Sequence, residues 1–492
     1  MTKWADKLLA FCTRRRTPLQ WLLVLMLTGA FLVGGIRFGP VAMLSYCASW
    51  AERKIFLCLY AALYFGAMAA CLLWKKWDWP RFLYAAALVM VALLIRIALF
   101  NHISSDYDSF LRVWVDAFRQ NGFAAIAQEI GDYNLPYQYI LALVARLPLN
   151  AMYQIKLVSI VFDFALALLL MALTERFLSP RYRLVVLSAA LLIPTLWFNG
   201  AMWGQCDALY CFFVLGCLYA MLADRPVLSM ALLTVAFSFK LQTVFIFPLV
   251  LFGLWQKKYK LRHLLVFPLS YLVIILPALL AGRSLISALT IYLRQATQYN
   301  ERLTYNAPNI YQFFPFGEVS MQHSYTSILK FIPGVNAELW GEWWTKDTVR
   351  YLLAALVPYA GMLVLALVYY LYRGRKHVRL PHVWRLCLAF TLLMPLVLPK
   401  MHDRYFTLAE IFAILYAVRY PKRWFIPVLV VGASFEGYMP FLARERPLDM
   451  RIAAAMMIAA MGVVLWDIIR DMRAARAADA DHPEAPQAVY KV

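Results

Sequence analysis

Residues 81–100 read RFLYAAALVMVALLIRIALF, an apolar run whose only charged residues are Arg81 at its start and Arg96 near its end. About 20 residues of helix rise about 30 Å, the thickness of a bilayer's hydrocarbon core. Similar runs recur from residue 18 to residue 470, and the 492-residue chain is 63% hydrophobic and only 15% charged. Soluble proteins carry about one quarter charged residues. The sequence therefore predicts an all-α polytopic membrane protein, and it excludes a soluble enzyme, a disordered chain and a secreted disulfide scaffold.

Thirteen or fourteen stretches of the chain are predicted to be transmembrane helices. The number depends on residues 227–256, which form either one broken helix or two. The predicted spans are 18–38, 55–74, 81–100, 153–174, 183–200, 206–223, 227–240, 241–256, 262–281, 350–373, 383–399, 404–419, 423–441 and 451–470.

The net charge of +21 comes from 48 lysines and arginines against 27 acidic residues. The basic residues fall in short clusters between apolar runs, which is typical of the positive-inside rule and does not indicate nucleic-acid binding. With fourteen spans and both termini in the cytoplasm, every cluster faces the cytoplasm, provided that 136–148 does not cross. That segment is too short to span and is predicted to be a juxtamembrane or re-entrant helix. The clusters are 14–16, 75–81, 176–183, 257–262, 373–379, 419–423 and 470–476.

This topology predicts one transmembrane domain over 1–473 with two large extracytoplasmic loops, 101–152 and 282–349. Both loops are rich in aromatic residues and close to charge balance, so they are expected to fold as lids on the membrane surface. The tail 474–492 is predicted to be a disordered cytoplasmic segment. The eight cysteines include no CxxC pair and no Cys/His cluster, so neither a zinc site nor a disulfide framework is predicted.

The first loop carries three carboxylates that are candidates for chemistry. Asp106 and Asp108 either cap an amphipathic helix that starts near Ser109, or place a base at the floor of an extracytoplasmic pocket. Asp132 and Tyr133 lie in GDYNLPY (131–137), where Pro136 fixes the start of the short helix. Because Asp132 lies in the same loop as Asp106, the two carboxylates are expected to share a site.

Polar residues also occur inside and between the apolar runs. Lys156 and Asp163 lie two turns apart on one helix face, and either a structural or a functional role fits ionisable residues there. The turn WFNGAMWGQCD (197–207) contains glycines that allow close backbone approach. Its Gln205 and Asp207 offer the hydrogen bonds that a sugar needs.

Basic residues at the predicted outer ends of helices require a reason, because the positive-inside rule disfavours them there. Lys240 and Gln242 lie in FKLQ (239–242), where the lysine either neutralises an anion or extends to the interface. Lys400, His402 and Arg404 fall within five residues in LPKMHDRY (398–405). A phosphate explains this cluster well, since arginine and lysine bind phosphate through charge-assisted hydrogen bonds.

The alternative for the last of these clusters is local pairing with Asp403 and Glu410. On that interpretation the basic residues neutralise their own acidic neighbours and bind no ligand.

The residues discussed above lie in five short motifs, which follow one another along the chain in the order SSDYDSF, GDYNLPY, WGQCD, FKLQ and KMHDRYF. Taken in this order, the motifs resemble those of the GT-C membrane glycosyltransferases. The resemblance covers roughly residues 80–420. It is closest to bacterial relatives of the second-mannose GPI mannosyltransferases, and more distant to the dolichyl-phosphate-glucose glucosyltransferases. That superfamily usually has Asp-Tyr-Pro-Pro where this chain has Asn134-Leu135-Pro136 after Asp132-Tyr133, and Glu where it has Asp403.

The resemblance implies a GT-C fold, a catalytic base at Asp106, and an inverting transfer from a polyprenyl-phosphate sugar. The sugar would be mannose or another hexose, and the acceptor a lipid-linked or cell-surface glycan. Asp108, Asp132, Tyr133, Gln205 and Asp207 are the candidate supporting and acceptor-binding residues. Lys240, Gln242, Lys400, His402 and Arg404 are the candidates for the donor phosphate.

Cationic side chains can stabilise a leaving phosphate, so no divalent metal or other cofactor is expected. A monomer in the bacterial inner membrane is predicted, with the active site facing outside and the membrane lipids as its surroundings.

Two other classes of protein fit parts of the pattern. A lipid-linked glycan ligase or polymerase also combines many helices with a large outer loop; Arg294 and Arg302 would then be essential and Asp106 dispensable. A transporter or flippase would need polar residues through the whole membrane depth and an internal repeat, and no repeat is visible in the sequence.

Overall fold

Helices make up nearly all of the regular structure in this computed structural model, which describes residues 13, 16–37, 44–74, 77–297, 303–313, 346–442 and 444–481. The basic residues 14, 15, 75 and 76, most of the second loop and the end of the tail lie outside these ranges.

The α-helices are numbered in chain order. The first half of the chain contains α1 (Arg16–Arg37), α2 (Trp50–Trp74), α3 (Trp79–Ala98), α4 (Arg112–Asn121), α5 (Leu135–Arg146), α6 (Ala151–Leu173), α7 (Arg183–Leu192), α8 (Pro194–Trp197) and α9 (Asp207–Leu222). The second half contains α10 (Pro226–Phe239), α11 (Pro248–Trp255), α12 (Val266–Leu280), α13 (Leu285–Leu289), α14 (Ile291–Thr297), α15 (Lys346–Arg373), α16 (Val383–Val397), α17 (Thr407–Arg419), α18 (Phe425–Leu442) and α19 (Met450–Asp481). Two short strands, β1 (Thr304–Tyr305) and β2 (Met401–His402), pair in parallel.

Among the residues described, nine helices are long and apolar enough to cross a membrane, and a tenth span is possible if the bent pair Pro180–Leu192 and Pro194–Trp203 forms one. Three further predicted spans correspond to shorter apolar helices, Asp207–Leu222, Pro226–Phe239 and Leu241–Trp255. The chain is therefore an integral multi-pass membrane protein, as the composition predicted.

Residues 226–255 form a hairpin. Its two arms, α10 and α11, are separated by an extended residue, Lys240 (φ −146°, ψ 137°), and a 3₁₀ turn. Ser229 near the start of the hairpin shares a 2.7 Å hydrogen bond with Tyr259 just after its end, and Lys258 forms a 2.7 Å ion pair with Asp224. The two ends of this segment are therefore adjacent, which rules out one broken helix that continues in a single direction.

Capping residues explain where several helices begin. Asp78 accepts a 3.0 Å hydrogen bond from the Arg81 amide, with a proline in the first turn of α3. Asn134 accepts one from the Leu135 amide at 2.7 Å, and Pro136 lies in the first turn of α5. Such side chains satisfy amides that have no partner within the helix.

Helix α5 covers residues 136–146 of the apolar stretch 136–148 and has 12 residues, or roughly 18 Å of helix, which is too short to cross. At the other end of the chain the structure corrects the prediction of a disordered tail from residue 474. Helix α19 continues to Asp481, because the Ala- and Arg-rich sequence there has high helix propensity. Residues 482–492 lie outside the described part of the chain.

The chain divides into two compact units, and each is considered separately. The first contains residues 1–176, 180–215 and 277–284. In its core, Arg96 of α3 and Asp163 of α6 form a fully buried ion pair of 2.8 Å. A Cβ atom at Gly200 would lie 3.0 Å from the Asp163 carboxylate, so the predicted close approach at this glycine is confirmed. Lys156 donates to the Phe100 carbonyl oxygen at 2.8 Å, just past the end of α3. Asp163 and Lys156 thus hold helices together.

The second unit contains residues 177–179, 216–276 and 285–492. Helix α16 packs against α17 and α19, and α18 packs against the same two helices. Asp467 of α19 is buried and accepts two hydrogen bonds from the Arg423 guanidinium, at 2.8 and 2.6 Å. Along α12, the apolar residues Leu269, Val273 and Leu276 are exposed at helical spacing, as expected of a face that contacts lipid.

Candidate active site

The helix of the first loop starts at Ser105 and not near Ser109, so the predicted start was wrong by about one turn. The Ser104 side chain explains the difference: its Oγ accepts a 3.1 Å hydrogen bond from the Tyr107 amide and donates to the Trp203 carbonyl oxygen at 3.0 Å. A π-helical segment, Tyr107–Leu111, then leads into α4. Such segments are frequent at functional sites. Sequence reasoning missed Ser104, although serine is a common helix cap.

Asp106 and Asp108 have different environments. The half-buried Asp106 accepts a hydrogen bond from Gln205 Nε2. Asp108 has a side chain 58% exposed and forms a 2.9 Å ion pair with Arg112. Two residues of a helix are about 200° apart around its axis, so their side chains diverge.

Gln205 connects Asp106 to Tyr133, and we call these three residues the carboxylate cluster. The Tyr133 hydroxyl donates to Gln205 Oε1 at 2.6 Å, and Gln205 itself is buried. Gly204, with φ +71°, turns the chain immediately before it. Three segments that are distant in the sequence therefore meet at one carboxylate.

Tyr133 is held by aromatic packing. Its ring lies edge-on to Trp114 with centroids 5.5 Å apart and to Tyr137 at 5.0 Å. Gly131 has φ +68°, and a Cβ atom there would lie 2.4 Å from the Trp114 ring. Only glycine allows this approach. Asp132, half-buried, precedes Tyr133 in the same turn.

Asp207 lies deeper than the other carboxylates and is 1% exposed. Burial raises the pKa of the Tyr137 hydroxyl well above its usual range, and Cys206, Tyr133 and Asp207 raise it further. The charge of Asp207 therefore acts on Tyr137, whose ring packs against Tyr133 of the carboxylate cluster.

The second unit brings together four of the residues predicted to bind phosphate: Lys240, Lys400, His402 and Arg404, which we call the cation cluster. Burial, together with the charges of Arg404, Lys240 and Lys400, lowers the pKa of His402 to about 3. His402 is consequently neutral at pH 7, which corrects the expectation that it supplies a positive charge. It offers a neutral ring N–H instead.

The backbone that carries the cation cluster is fixed by the pairing of β1 with β2. Lys400 has φ +63°, and its amide donates to the Leu303 carbonyl oxygen at 2.7 Å. The His402 ring stacks on Tyr305 with centroids 4.6 Å apart and an angle of 10°. Sequence reasoning missed the segment 303–309, LTYNAPN, whose two asparagines and proline are its turn signal.

Lys240 and Gln242 lie at the tip of the 226–255 hairpin, where they are 5% and 8% exposed. Asp403, which the alternative interpretation pairs with the basic residues, accepts a 2.7 Å hydrogen bond from the Arg404 backbone amide. This contact is typical of a residue that caps the turn that follows. Burial also lowers the pKa of Lys400 from its ordinary value.

Arg294, a candidate under the ligase or polymerase hypothesis, donates to Thr290 Oγ1 at 3.1 Å and to the Ser287 carbonyl oxygen at 3.3 Å. Ser287 lies in the preceding helix α13, and Thr290 lies between α13 and α14, the helix that contains Arg294. Arg302 lies outside the described residues.

In the described part of the chain, no group of three or more His, Cys, Asp or Glu side chains could hold a metal ion. The expectation that no divalent metal is needed stays a prediction. Comparisons of the chain with protein-family models, with curated proteins and with solved structures give no match.

Proposed function

We propose that this membrane protein is an inverting glycosyltransferase of the GT-C type. It would move mannose or another hexose from a polyprenyl-phosphate donor to a lipid-linked or cell-surface glycan on the extracytoplasmic face of the bacterial inner membrane. Both termini would then lie in the cytoplasm. The observation that supports this most directly is the half-buried carboxylate of Asp106, oriented by Gln205 and Tyr133.

An acceptor hydroxyl must lose a proton as its oxygen attacks the anomeric carbon of the donor sugar. One positioned carboxylate is sufficient for this step. The new C–O bond forms on the face opposite the breaking bond to the phosphate oxygen, so the configuration at the anomeric carbon inverts. Asp106 accepts the proton, and the polyprenyl phosphate leaves with both electrons of the broken bond.

The leaving phosphate gains negative charge as the bond breaks, and preorganised cations stabilise that charge. Lys240, Lys400 and Arg404 are the proposed cations. His402, neutral at pH 7, would donate a hydrogen bond, and Gln242 is a further candidate donor. Chemistry alone assigns the cation cluster to the donor and the carboxylate cluster to the acceptor.

The test is in vitro transfer from a panel of radiolabelled polyprenyl-phosphate sugars. Asp106→Asn retains the size and the contact with Gln205 but cannot accept a proton. Turnover should fall by about 10² to 10⁴-fold, the range of general-base contributions, while donor binding survives. A chelator should leave the activity of the wild-type protein in place.

Asp108→Asn is the matched control, because it removes an exposed carboxylate two residues away whose partner is Arg112. It should change turnover only a few-fold. Full activity of Asp106→Asn, or loss of activity in Asp108→Asn alone, would show that Asp106 is not the base.

A further inference from the structure

A buried arginine at the start of the second loop is connected to the first loop. Arg283 is 3% exposed and follows Gly282, whose φ of +101° turns the chain. Its Nη1 donates to the carbonyl oxygens of Ile126 and Gln128 at 3.3 and 3.2 Å, and to Gln138 Oε1 at 3.2 Å. All four residues belong to the first compact unit.

This contact fixes the orientation of the Gln138 amide. A guanidinium has donors only, so the carbonyl oxygen of the amide must face Arg283. The other end of the amide, Nε2, then points at the backbone of Tyr133 and donates to its carbonyl oxygen at 2.7 Å. Gln138 is 1% exposed, so water does not compete for either contact.

The side chain of Tyr133 continues the connection. The Asp106 carboxylate accepts hydrogen bonds only, so Gln205 must present Nε2 to it and Oε1 to the Tyr133 hydroxyl. The hydroxyl therefore donates, over 2.6 Å. Every hydrogen bond along this path has its donor on the Arg283 side and its acceptor on the Asp106 side.

We propose that Arg283 and Gln138 are positioning residues for the Asp106 base, acting through Tyr133 and Gln205. We call the five residues the Arg283 relay. The proposal rests on the proposed function. The relay sets the position of the Tyr133 backbone, hence that of its hydroxyl, and hence the direction in which the carboxylate faces.

The test uses two substitutions of Gln138 in the full-length protein. Gln138→Glu is nearly isosteric and retains a favourable contact with Arg283, but a carboxylate cannot donate to the Tyr133 carbonyl oxygen. Gln138→Leu removes both contacts. Displacing a reacting group by about 1 Å can cost about 100-fold in rate, so both variants should lower kcat by about 10 to 100-fold with little change in the donor KM.

Gln154→Leu is the matched control. Gln154 is also buried in the first unit, and its Nε2 donates to the carbonyl oxygen of Leu149 at 3.0 Å. It lies in α6, where its contacts are with the C-terminal end of α5 and the turn that follows, and it is not part of the relay. Gln154→Leu should lower the thermal stability in detergent about as much as Gln138→Leu does, but its kcat should equal that of the wild type.

Each substitution is then repeated in an Asp106→Asn background. A residue that acts through Asp106 has nothing to position there, so Gln138→Glu should cause no further loss of residual transfer. An equal loss in both backgrounds, wild-type kcat in Gln138→Glu, or an equal kcat loss in Gln154→Leu would overturn the relay and leave the proposed function standing. Wild-type activity in Asp106→Asn itself would overturn both.

Discussion

The buried ion pair of Arg96 and Asp163 gives a sharp prediction about stability. The two side chains are 0% and 1% exposed, and the Arg96 Nε to Asp163 Oδ2 distance is 2.8 Å. Arg96 also donates to the carbonyl oxygens of Ala92 and Leu191 at 3.2 and 3.1 Å. Breaking a buried pair by removing one partner costs about 3–5 kcal/mol, because it leaves an uncompensated charge.

Two variants separate the loss of charge compensation from the loss of the hydrogen-bond acceptor. Asp163→Asn retains an oxygen that can accept from Arg96, so only the charge compensation is lost, and about 3 kcal/mol is expected. Asp163→Leu removes the acceptor as well. A hydrogen bond to a charged group contributes about 1.5–3 kcal/mol. Asp163→Leu should therefore lower the free energy of unfolding by an amount near the upper limit of about 5 kcal/mol.

The free energy of unfolding can be measured by titration of the detergent-solubilised protein with SDS. The double variant Arg96→Met with Asp163→Leu is the control, since apolar replacement of a whole buried pair is often neutral or stabilising. It should recover most of the lost stability. If Asp163→Asn is as stable as the wild type, or if the double variant is no more stable than Asp163→Leu, the pair does not hold the helices together as described.

Three further predictions concern acid stability, the first loop and topology. Because the folded pKa of His402, about 3, lies below its unfolded value of 6.5, the unfolded state takes up the proton first as the pH falls. Stability should be lost progressively from pH 6.5 towards 3, by at most about 1.4 kcal/mol per pH unit, and His402→Gln should remove this slope in acid-unfolding curves. Gly131→Ala should abolish transfer and lower the melting temperature, since its Cβ would overlap Trp114; a variant with wild-type activity contradicts that geometry. Single cysteines at the exposed positions Gln120 and Lys376 should react with an impermeant maleimide from opposite sides of the membrane, and labelling from one side would refute the predicted topology.

The helices could be predicted well because apolar run length is a local property. The run 81–100 became α3 (Trp79–Ala98), and 136–148 became the short α5. The start of the first-loop helix could not be predicted as well, since several serines and aspartates in a row are possible caps. Only the contact of Ser104 with Trp203, far away in the sequence, decides between them.

The chemistry-bearing residues were predictable one by one, but their partners were not. Composition and motif order indicated Asp106 and Gln205 as candidates, yet the hydrogen bond between them joins residues 99 positions apart. Gln138 and Arg283 are 145 positions apart and gave no local signal. The neutrality of His402 likewise depends on burial and on Lys240, which is distant in the sequence.

The hairpin formed by residues 226–255 limits the number of times that this segment can cross the membrane. A segment whose ends are joined, as Ser229 is to Tyr259, contributes either two crossings or none, and never one. Arg225 before it and Lys257 after it must therefore lie in the same compartment whatever depth the tip reaches. Whether these two short arms cross the bilayer therefore does not change the side of the membrane on which any later loop lies. An error in assigning them cannot move residues 400–404, which carry three of the four members of the cation cluster, to the opposite side.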